Sequence, residues 1–375
     1  MDSKRRMLEA ISRGLESEFP VVIPYTGIFL RDHWEEITDK PWWVMSNINL
    51  SARLEVEEDL LKRLDLDWVE CTLCPSRGWR ESHRIEVING RVFLTNVVSR
   101  ERREIKRPPI GGDIIRIDRE PLIKSISDVE KYIQIVDAME MIKNGNLDYA
   151  KMVVEKFGSK KFVCASVSSP YWTALSNYFG FKGMLLFILK RTNIVRAVLD
   201  KITEQIIEVL KAYAEAGVDG IWLEECLASA NEISPKIFRE IILPYNSEIF
   251  SVMRHLGLKS IYYSCGDIRD RLELILDAQP DCIAAEESKK GFKINIEWIS
   301  EIVAGRACIF GNIDSINILQ NGTISELEKE IERQISVGRN HRRFVVSLGS
   351  PVTPKTPTSR VREYIEVARR LSMSA

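Results

Sequence analysis

From Lys161 onward the chain repeats one grammar: a short apolar or β-branched run, a loop of polar residues and glycine, then an amphipathic helix of ten or more residues. This alternation commits a chain to parallel βα units, because two parallel strands can be joined only by a crossover long enough to hold a helix. The candidate strands are Phe162–Val167, Gly220–Glu224, Lys259–Ser264, Asp281–Ala285, Ala307–Gly311 and Phe344–Leu348. Helices are expected over Thr192–Ala216, Pro235–His255, Ile268–Asp277, Ile324–Val337 and Thr358–Leu371, with stop signals such as Gly217 and Gly257. Two earlier runs, Val21–Tyr25 and Asp67–Glu70, flank a helical pattern over Ser51–Leu64 and bring the strands to eight. Eight parallel strands with helical crossovers predict an α/β fold, a (β/α)8 TIM barrel. A doubly wound open sheet fits less well, since no Gly-x-Gly-x-x-Gly follows an early strand. Between Arg84 and Arg107, alternating residues flank Asn89-Gly90, a strong hairpin signal, so an N-terminal β-hairpin insertion is expected at about residues 80–120 of a single barrel domain spanning 1–375.

Charge and composition narrow the partners. Lys plus Arg number 53 against 54 Asp plus Glu, a net charge of -1, and no long single-sign run offers a grip to nucleic acid or to an anionic membrane. With 45% hydrophobic and 29% charged residues the chain has the makings of a sizeable core. The first residues, Met1 to Met7 with Glu9, Arg13 and Glu16 beyond, lack the apolar stretch of a secretory signal. The longest uncharged run, Phe162 to Phe181, is interrupted by Ser166, Ser168, Ser169, Pro170, Ser176 and Asn177, so it reads as strand and loop rather than membrane span. Seven scattered cysteines make no disulfide framework, which suits a reducing compartment, and a cytoplasmic location is expected.

A barrel of this kind builds its active site where the strands end, at their C-terminal tips. The first strand ends in Tyr25, the second leads to Cys71 and Cys74, and the third offers Ser166 and Ser168 with Tyr171 and Trp172 just beyond. The fourth ends in Glu224-Glu225-Cys226, the fifth in Tyr263 to Asp267, the sixth in Glu286-Glu287, the seventh in Asn312 and Asp314, and the eighth in Ser347 to Ser350. Crowding and burial raise a carboxyl toward neutrality, which fits these acids for general acid or base work. Each is also a plausible helix cap or ion-pair partner. Successive strand residues point to opposite faces, so only one member of each Glu pair can face the barrel axis. Cys71-x-x-Cys74 has no second such pair to complete a zinc site, and reads as buried or site-lining cysteine. Phe29, Trp34, Trp42, Trp43 and Trp68 gather near Arg31 and His33. They either pack a lid onto the barrel or line a pocket for a flat aromatic substrate, with Arg31 or His33 reaching a carboxylate or hydroxyl.

The C-terminal half carries a more specific signal. Tyr263-Ser-Cys-Gly-Asp267, Gly311-Asn-Ile-Asp314, Leu319-Gln-Asn-Gly-Thr323 and Ser347 through Pro357, together with Glu232-Ile-Ser-Pro235 and Pro244-Tyr245, resemble in order and spacing the uroporphyrinogen decarboxylase superfamily. The resemblance covers residues 160 to 375 well and the first half only in outline. That superfamily holds porphyrinogen decarboxylases and corrinoid-linked methyltransferases. The decarboxylases carry an early Arg-Gln-Ala-Gly-Arg-Tyr stretch, where this chain reads Pro24 through His33 without it. The thiol-alkylating methyltransferases bind zinc through a His-x-Cys after the fifth strand and a Cys after the eighth, and the matching positions here are Tyr263, Cys265 and Ser350. With one ligand of three kept, zinc is not expected.

What the resemblance then implies is a methyltransferase working between a small methyl donor, of the methoxylated aromatic type, and the cobalt of a corrinoid (cobalamin) carried by a separate partner protein, in short an O-demethylation. Tyr263, Glu224 or Glu225 would supply or share the proton for the leaving oxygen, with Asp314 or Asn312 orienting the substrate; Tyr25, Arg31, His33, Tyr171, Cys265 and Ser350 would help to bind it. A polycarboxylate lyase and a non-catalytic subunit for a corrinoid partner are the alternatives, and a homodimer is compatible with the superfamily.

Overall fold

The computed structural model describes residues 1–112, 117–289 and 291–373. Strand β1 (Trp68–Cys71) opens a parallel sheet and is followed by three strands of a separate antiparallel sheet, β2 (His83–Ile88), β3 (Arg91–Asn96) and β4 (Arg102–Ile105). The parallel sheet resumes with β5 (Phe162–Ser168), β6 (Gly220–Glu225), β7 (Lys259–Ser264), β8 (Cys282–Ala285), β9 (Cys308–Phe310) and β10 (Phe344–Val345). Its seven strands run in chain order, β1-β5-β6-β7-β8-β9-β10, the order a barrel requires.

The eighth position is taken by the chain around Val21. Val21 makes a parallel bridge to Val346. On one side Val22 N donates to Val346 O at 3.0 Å and Val346 N to Pro20 O at 2.8 Å; on the other Asp67 N donates to Val21 O at 3.1 Å. The expected strand Val21–Tyr25 is therefore a bridge and not a ladder. Asp67 Oδ2 captures the Val21 N–H at 2.7 Å, and Pro24 has no N–H to give, so a regular ladder cannot form.

Aromatic rings fill the barrel. Trp68 on β1, Trp222 on β6 and Phe310 on β9 meet across the axis at centroid distances of 5.8 to 6.1 Å. All three are almost wholly buried, and each such side chain contributes roughly 1.5–3 kcal/mol of transfer free energy before its ordering cost. They fix the parity of their strands, because every second residue from them also points inward.

Three expectations need correcting. The insertion is a three-stranded meander rather than a hairpin. Its first turn is as expected, with Asn89 at φ 50° and Gly90 at φ 75°, the left-handed pair of a tight β-turn, but β4 then pairs with β3 through Val92–Ile105 to Thr95–Arg102. The helix expected over Pro235–His255 is broken into Pro235–Ile237, a π-helical turn Phe238–Ile242 and Leu243–His255. Pro244 lacks the N–H that would continue the earlier turn, so the helix restarts there. The helix expected from Ile268 begins at Leu272. Among the described residues no helix is long and apolar enough to cross a membrane.

Candidate active site

Two residues above Trp68 lies Glu70, and two above Trp222 lies Glu224, so both carboxylates face inward at the C-terminal end of the barrel. Ser168 is paired with Glu224 on β5, and Tyr263 with Glu224 on β7. Ser166, level with Trp222, is exposed, whereas Tyr25, Glu70, Ser168, Glu224, Cys265 and Glu286 are half-exposed. Solvent therefore has access to the inner face of the barrel from the rim down to the level of Trp222, and this opening is the well.

Tyr25 organises this well. It sits at φ 58°, in the left-handed region a non-glycine residue rarely adopts, and begins the helix Thr26–Asp32. The turn sends its side chain across the mouth, where Oη donates to Glu224 Oε1 at 2.8 Å, and presents Thr26 N to Glu70 Oε1 at 3.1 Å. Its ring packs edge-on against Tyr263 at 5.6 Å and Trp222 at 5.7 Å, and those two stack at 5.0 Å. Such backbone strain persists only where surroundings over-determine it, as these four contacts do. Burial, then Tyr263 and Glu224, push the Tyr25 hydroxyl well above its ordinary pKa. Burial raises Glu70 to about 7, only partly offset by the Thr26 N–H. The apolar run alone directs attention to Cys71 and Cys74 and not to Glu70; its position two residues after an inward tryptophan is the signal that finds it.

Sulfur completes one side. Cys226 Sγ lies 2.8 Å from Cys265 Sγ and 3.6 Å from Glu224 Oε1. The neighbouring Cys265 thiol and burial together push Cys226 far up, so it stays protonated. The hydroxyl of Tyr263 is committed to Gly349 O at 2.9 Å, and burial raises it well above the usual range.

Several sequence candidates face elsewhere. Glu225 points out of the barrel, fully buried, accepting from Ser169 Oγ at 2.7 Å and Asn246 Nδ2 at 3.2 Å, and desolvation raises it to about 8. Asp314 caps the turn after β9, accepting from Ile316 N at 2.8 Å and Asn317 N at 2.7 Å. Asn312 ties the chain between β8 and β9 to itself, donating to Ile294 O at 3.1 Å and Glu286 O at 3.3 Å. Tyr171 lies under the loop after β6 and donates to Leu227 O at 3.3 Å. Ser350 donates to Glu287 Oε2 at 2.7 Å, and Lys289 Nζ joins them at 2.7 Å from Glu287 Oε1. His33 is buried, stacked on Phe29 at 4.6 Å with Nδ1 3.0 Å from Glu36 Oε1. Arg31 is clamped by Asp32 at 2.7 and 2.8 Å.

The positions matching the superfamily's zinc ligands do not fit a metal here. Tyr263 donates its hydroxyl to Gly349 O and Ser350 donates to Glu287, and neither a phenol nor an alcohol is among the usual zinc ligands. Among the described residues no three His, Cys, Asp or Glu side chains are placed to hold a metal ion.

Fold and well together define a parallel βα barrel with an acid- and tyrosine-lined pocket at the C-terminal ends of its strands, the place where barrel enzymes carry out their chemistry. The sequence profile of the uroporphyrinogen decarboxylase (URO-D) family matches residues 112–371, and the chain belongs to that family. It is 23% identical over 252 residues to the methylcobamide:CoM methyltransferase MtbA of Methanosarcina mazei, covering 65% of this chain and 71% of the relative. To MtaA of Methanosarcina barkeri, also a methylcobamide:CoM methyltransferase, it is 25% identical over 219 residues, 58% and 61% of the two chains. The uroporphyrinogen decarboxylase of Thermus thermophilus is 23% identical over 174 residues, 46% of this chain and 48% of that one. A solved methyltransferase from Methanosarcina mazei has the same fold, with a TM-score of 0.68 over 99% of this chain and 98% of that one at 18% identity.

Proposed function

We propose that the chain is a methyltransferase moving a methyl group between a small methyl compound and the cobalt of a corrinoid carried by a separate protein, and that the methyl compound is a methoxylated aromatic. Support for corrinoid-dependent methyl transfer comes from the methylcobamide:CoM methyltransferases among the relatives. Support for an aromatic ether comes from the well, and one observation carries it: a carboxyl raised toward neutrality, Glu70, bonded to Thr26 N directly after Tyr25, whose hydroxyl bonds Glu224 and whose ring packs on the stacked Trp222 and Tyr263.

The partner's corrinoid supplies the cobalt that takes or returns the methyl group. This chain has to hold the ether, exclude water and relieve the departing oxygen of its charge. A phenol has a pKa near ~10, so a carboxyl at about 7 is acidic enough to protonate the aryl oxide and is still half protonated at neutral pH. In this reading Glu70 gives that proton and Glu224 fixes Tyr25. Tyr263 contributes its ring, its own proton being committed to Gly349. Cys265, Ser166 and Ser168 face the substrate, and Glu225, Asn312 and Asp314 hold the rim in shape. A polycarboxylate lyase would need several cations in the mouth, and the inward residues named here are acids, alcohols, thiols and aromatics.

The test is to incubate the chain with a reduced corrinoid protein and a panel of methoxybenzoates, alongside simple alkyl donors, and follow methylcobalt absorbance. Methylation by aromatic ethers is expected. Methylation by alkyl donors alone would remove the aromatic assignment, and none with any donor would remove the methyl transfer.

A further inference from the structure

A cavity of about 350 Å³ is lined in part by the helix Thr26–Asp32, the helix that Tyr25 begins. Its walls come from two parts of the chain that are extra to the barrel. One is the lid: Gly27 and Arg31, a turn apart on the helix Thr26–Asp32, with Trp34, Trp42 and Trp43. The other is the exit of the three-stranded sheet, Lys106 to Pro108 directly after β4. The two parts are bolted together on both sides of the cavity. Arg107 Nη2 donates to Glu35 Oε2 at 2.8 Å, and Gly111 N donates to Asp32 Oδ1 at 2.9 Å.

The chemistry of the walls selects a ligand. Trp42 and Trp43 stand edge to face at 5.8 Å, leaving indole surface for a flat ring. Aromatic walls alone suit an aromatic ring or an organic cation equally. The charges decide between them. Arg31 is balanced by Asp32 and Arg107 by Glu35, and the exposed Lys106 adds one positive charge. The balance repels a cation and matches a single anionic group. From this the geometry points to a binding site for a planar aromatic monocarboxylate, separate from the barrel well and independent of methyl transfer. The carboxylate lies toward Lys106 and the ring against the indole surface that Trp42 and Trp43 leave open.

Gly27 provides a clean way to close the site. A Cβ built there meets nothing within 4 Å, so a side chain can be started from this wall of the cavity without a backbone clash. The experiment is calorimetric titration of the full chain with benzoate and with benzamide, a neutral molecule of the same shape. Benzoate is expected to bind about tenfold more tightly than benzamide, the effect of one charge-assisted contact. Lys106→Met should bring benzoate down to the benzamide level and leave benzamide unchanged. Gly27→Leu should remove binding of both while thermal stability holds or rises. Equal affinities for the two ligands, no binding of benzoate, or binding that survives Gly27→Leu would each overturn the proposal. The last would place the ligand in the barrel well. None of these readouts involves a corrinoid partner, so failure of methyl transfer leaves the result intact.

Discussion

Glu224 and Glu225 are adjacent in the chain and occupy opposite faces of β6. Glu224 looks into the well, half-exposed and bonded to the Tyr25 hydroxyl. Glu225 looks out toward the helix Leu243–His255, sealed from solvent, each oxygen taken by a protein donor. Glu225 is nevertheless raised to about 8, above Glu70 at about 7. Perturbed carboxyls concentrate at functional sites, yet here the more perturbed one is out of reach of a ligand. What separates a site from a structural anchor is access: Glu70 keeps a minor part of its surface open to solvent, and Glu225 keeps none.

The comparison breaks most visibly at Glu70. Glu70→Gln keeps the shape and the acceptor for Thr26 N but removes the transferable proton, and methyl transfer from aromatic ethers should slow by about 10² to 10⁴-fold with little change in melting temperature. Methylcobalt formation under single-turnover conditions reads the first, and a thermal melt the second. An unchanged rate would mean that the well's acid is another group. Glu225→Ala should do the reverse. It leaves the Ser169 hydroxyl without its acceptor and the Asn246 amide with only the Tyr262 hydroxyl, and it opens a void, which together cost about 2–4 kcal/mol in urea unfolding, while the rate per folded molecule stays level.

Proton linkage sharpens the same contrast. Glu225 is raised from 4.5 to about 8, so the folded chain holds its proton more tightly than the unfolded chain. Stability from this residue is complete below pH ~4.5, declines as pH climbs toward 8, and levels off above it. Glu225→Gln keeps the Ser169 contact and, with the Asn246 amide turned over, gives an N–H to Asn246 Oδ1, a buried oxygen that otherwise has no partner. That variant should flatten the decline and gain about 1–3 kcal/mol at pH 9, with no gain at pH 4. Urea midpoints of the two proteins across that range measure it.

The sequence made the strands from Phe162 onward readable, because buried parallel strands are continuous apolar runs between turn signals. Lys259–Ser264 agrees end to end. The strand missed altogether, β4, reads Arg102-Arg103-Glu104-Ile105, an edge strand too polar to show a period. The strand overcalled, Val21–Tyr25, is apolar enough to look like one, and what undoes it is a side chain 46 residues away, Asp67 Oδ2 on the Val21 N–H. The site was legible as a set of strand ends but not as a set of directions. Alternation says that one of Glu224 and Glu225 faces inward; which one depends on a reference side chain whose facing is known. Trp222 provides it once Trp68 and Phe310 are seen across the axis.

The smallest expected effect separates the two tyrosines of the mouth. Both hydroxyls are hydrogen-bonded, Tyr25 to Glu224 at 2.8 Å and Tyr263 to Gly349 O at 2.9 Å, and the two rings pack edge-on at 5.6 Å. Tyr25→Phe leaves behind a carboxylate that is half-exposed and can take water in place of the lost hydroxyl, so stability should shift by only about 0.5 kcal/mol. The rate should fall about tenfold, carried by kcat, because the loss is of orientation at the reacting centre and not of binding area. Tyr263→Phe leaves behind a carbonyl on a buried stretch of chain, where water does not readily replace the donor. It should cost about 1 kcal/mol or slightly more in unfolding, with a rate change of less than about threefold. Steady-state kinetics and denaturation on the matched pair give four numbers. If Tyr263→Phe carries the larger loss in rate, the proton path runs along β7 and the assignment of Glu70 gives way to Tyr263.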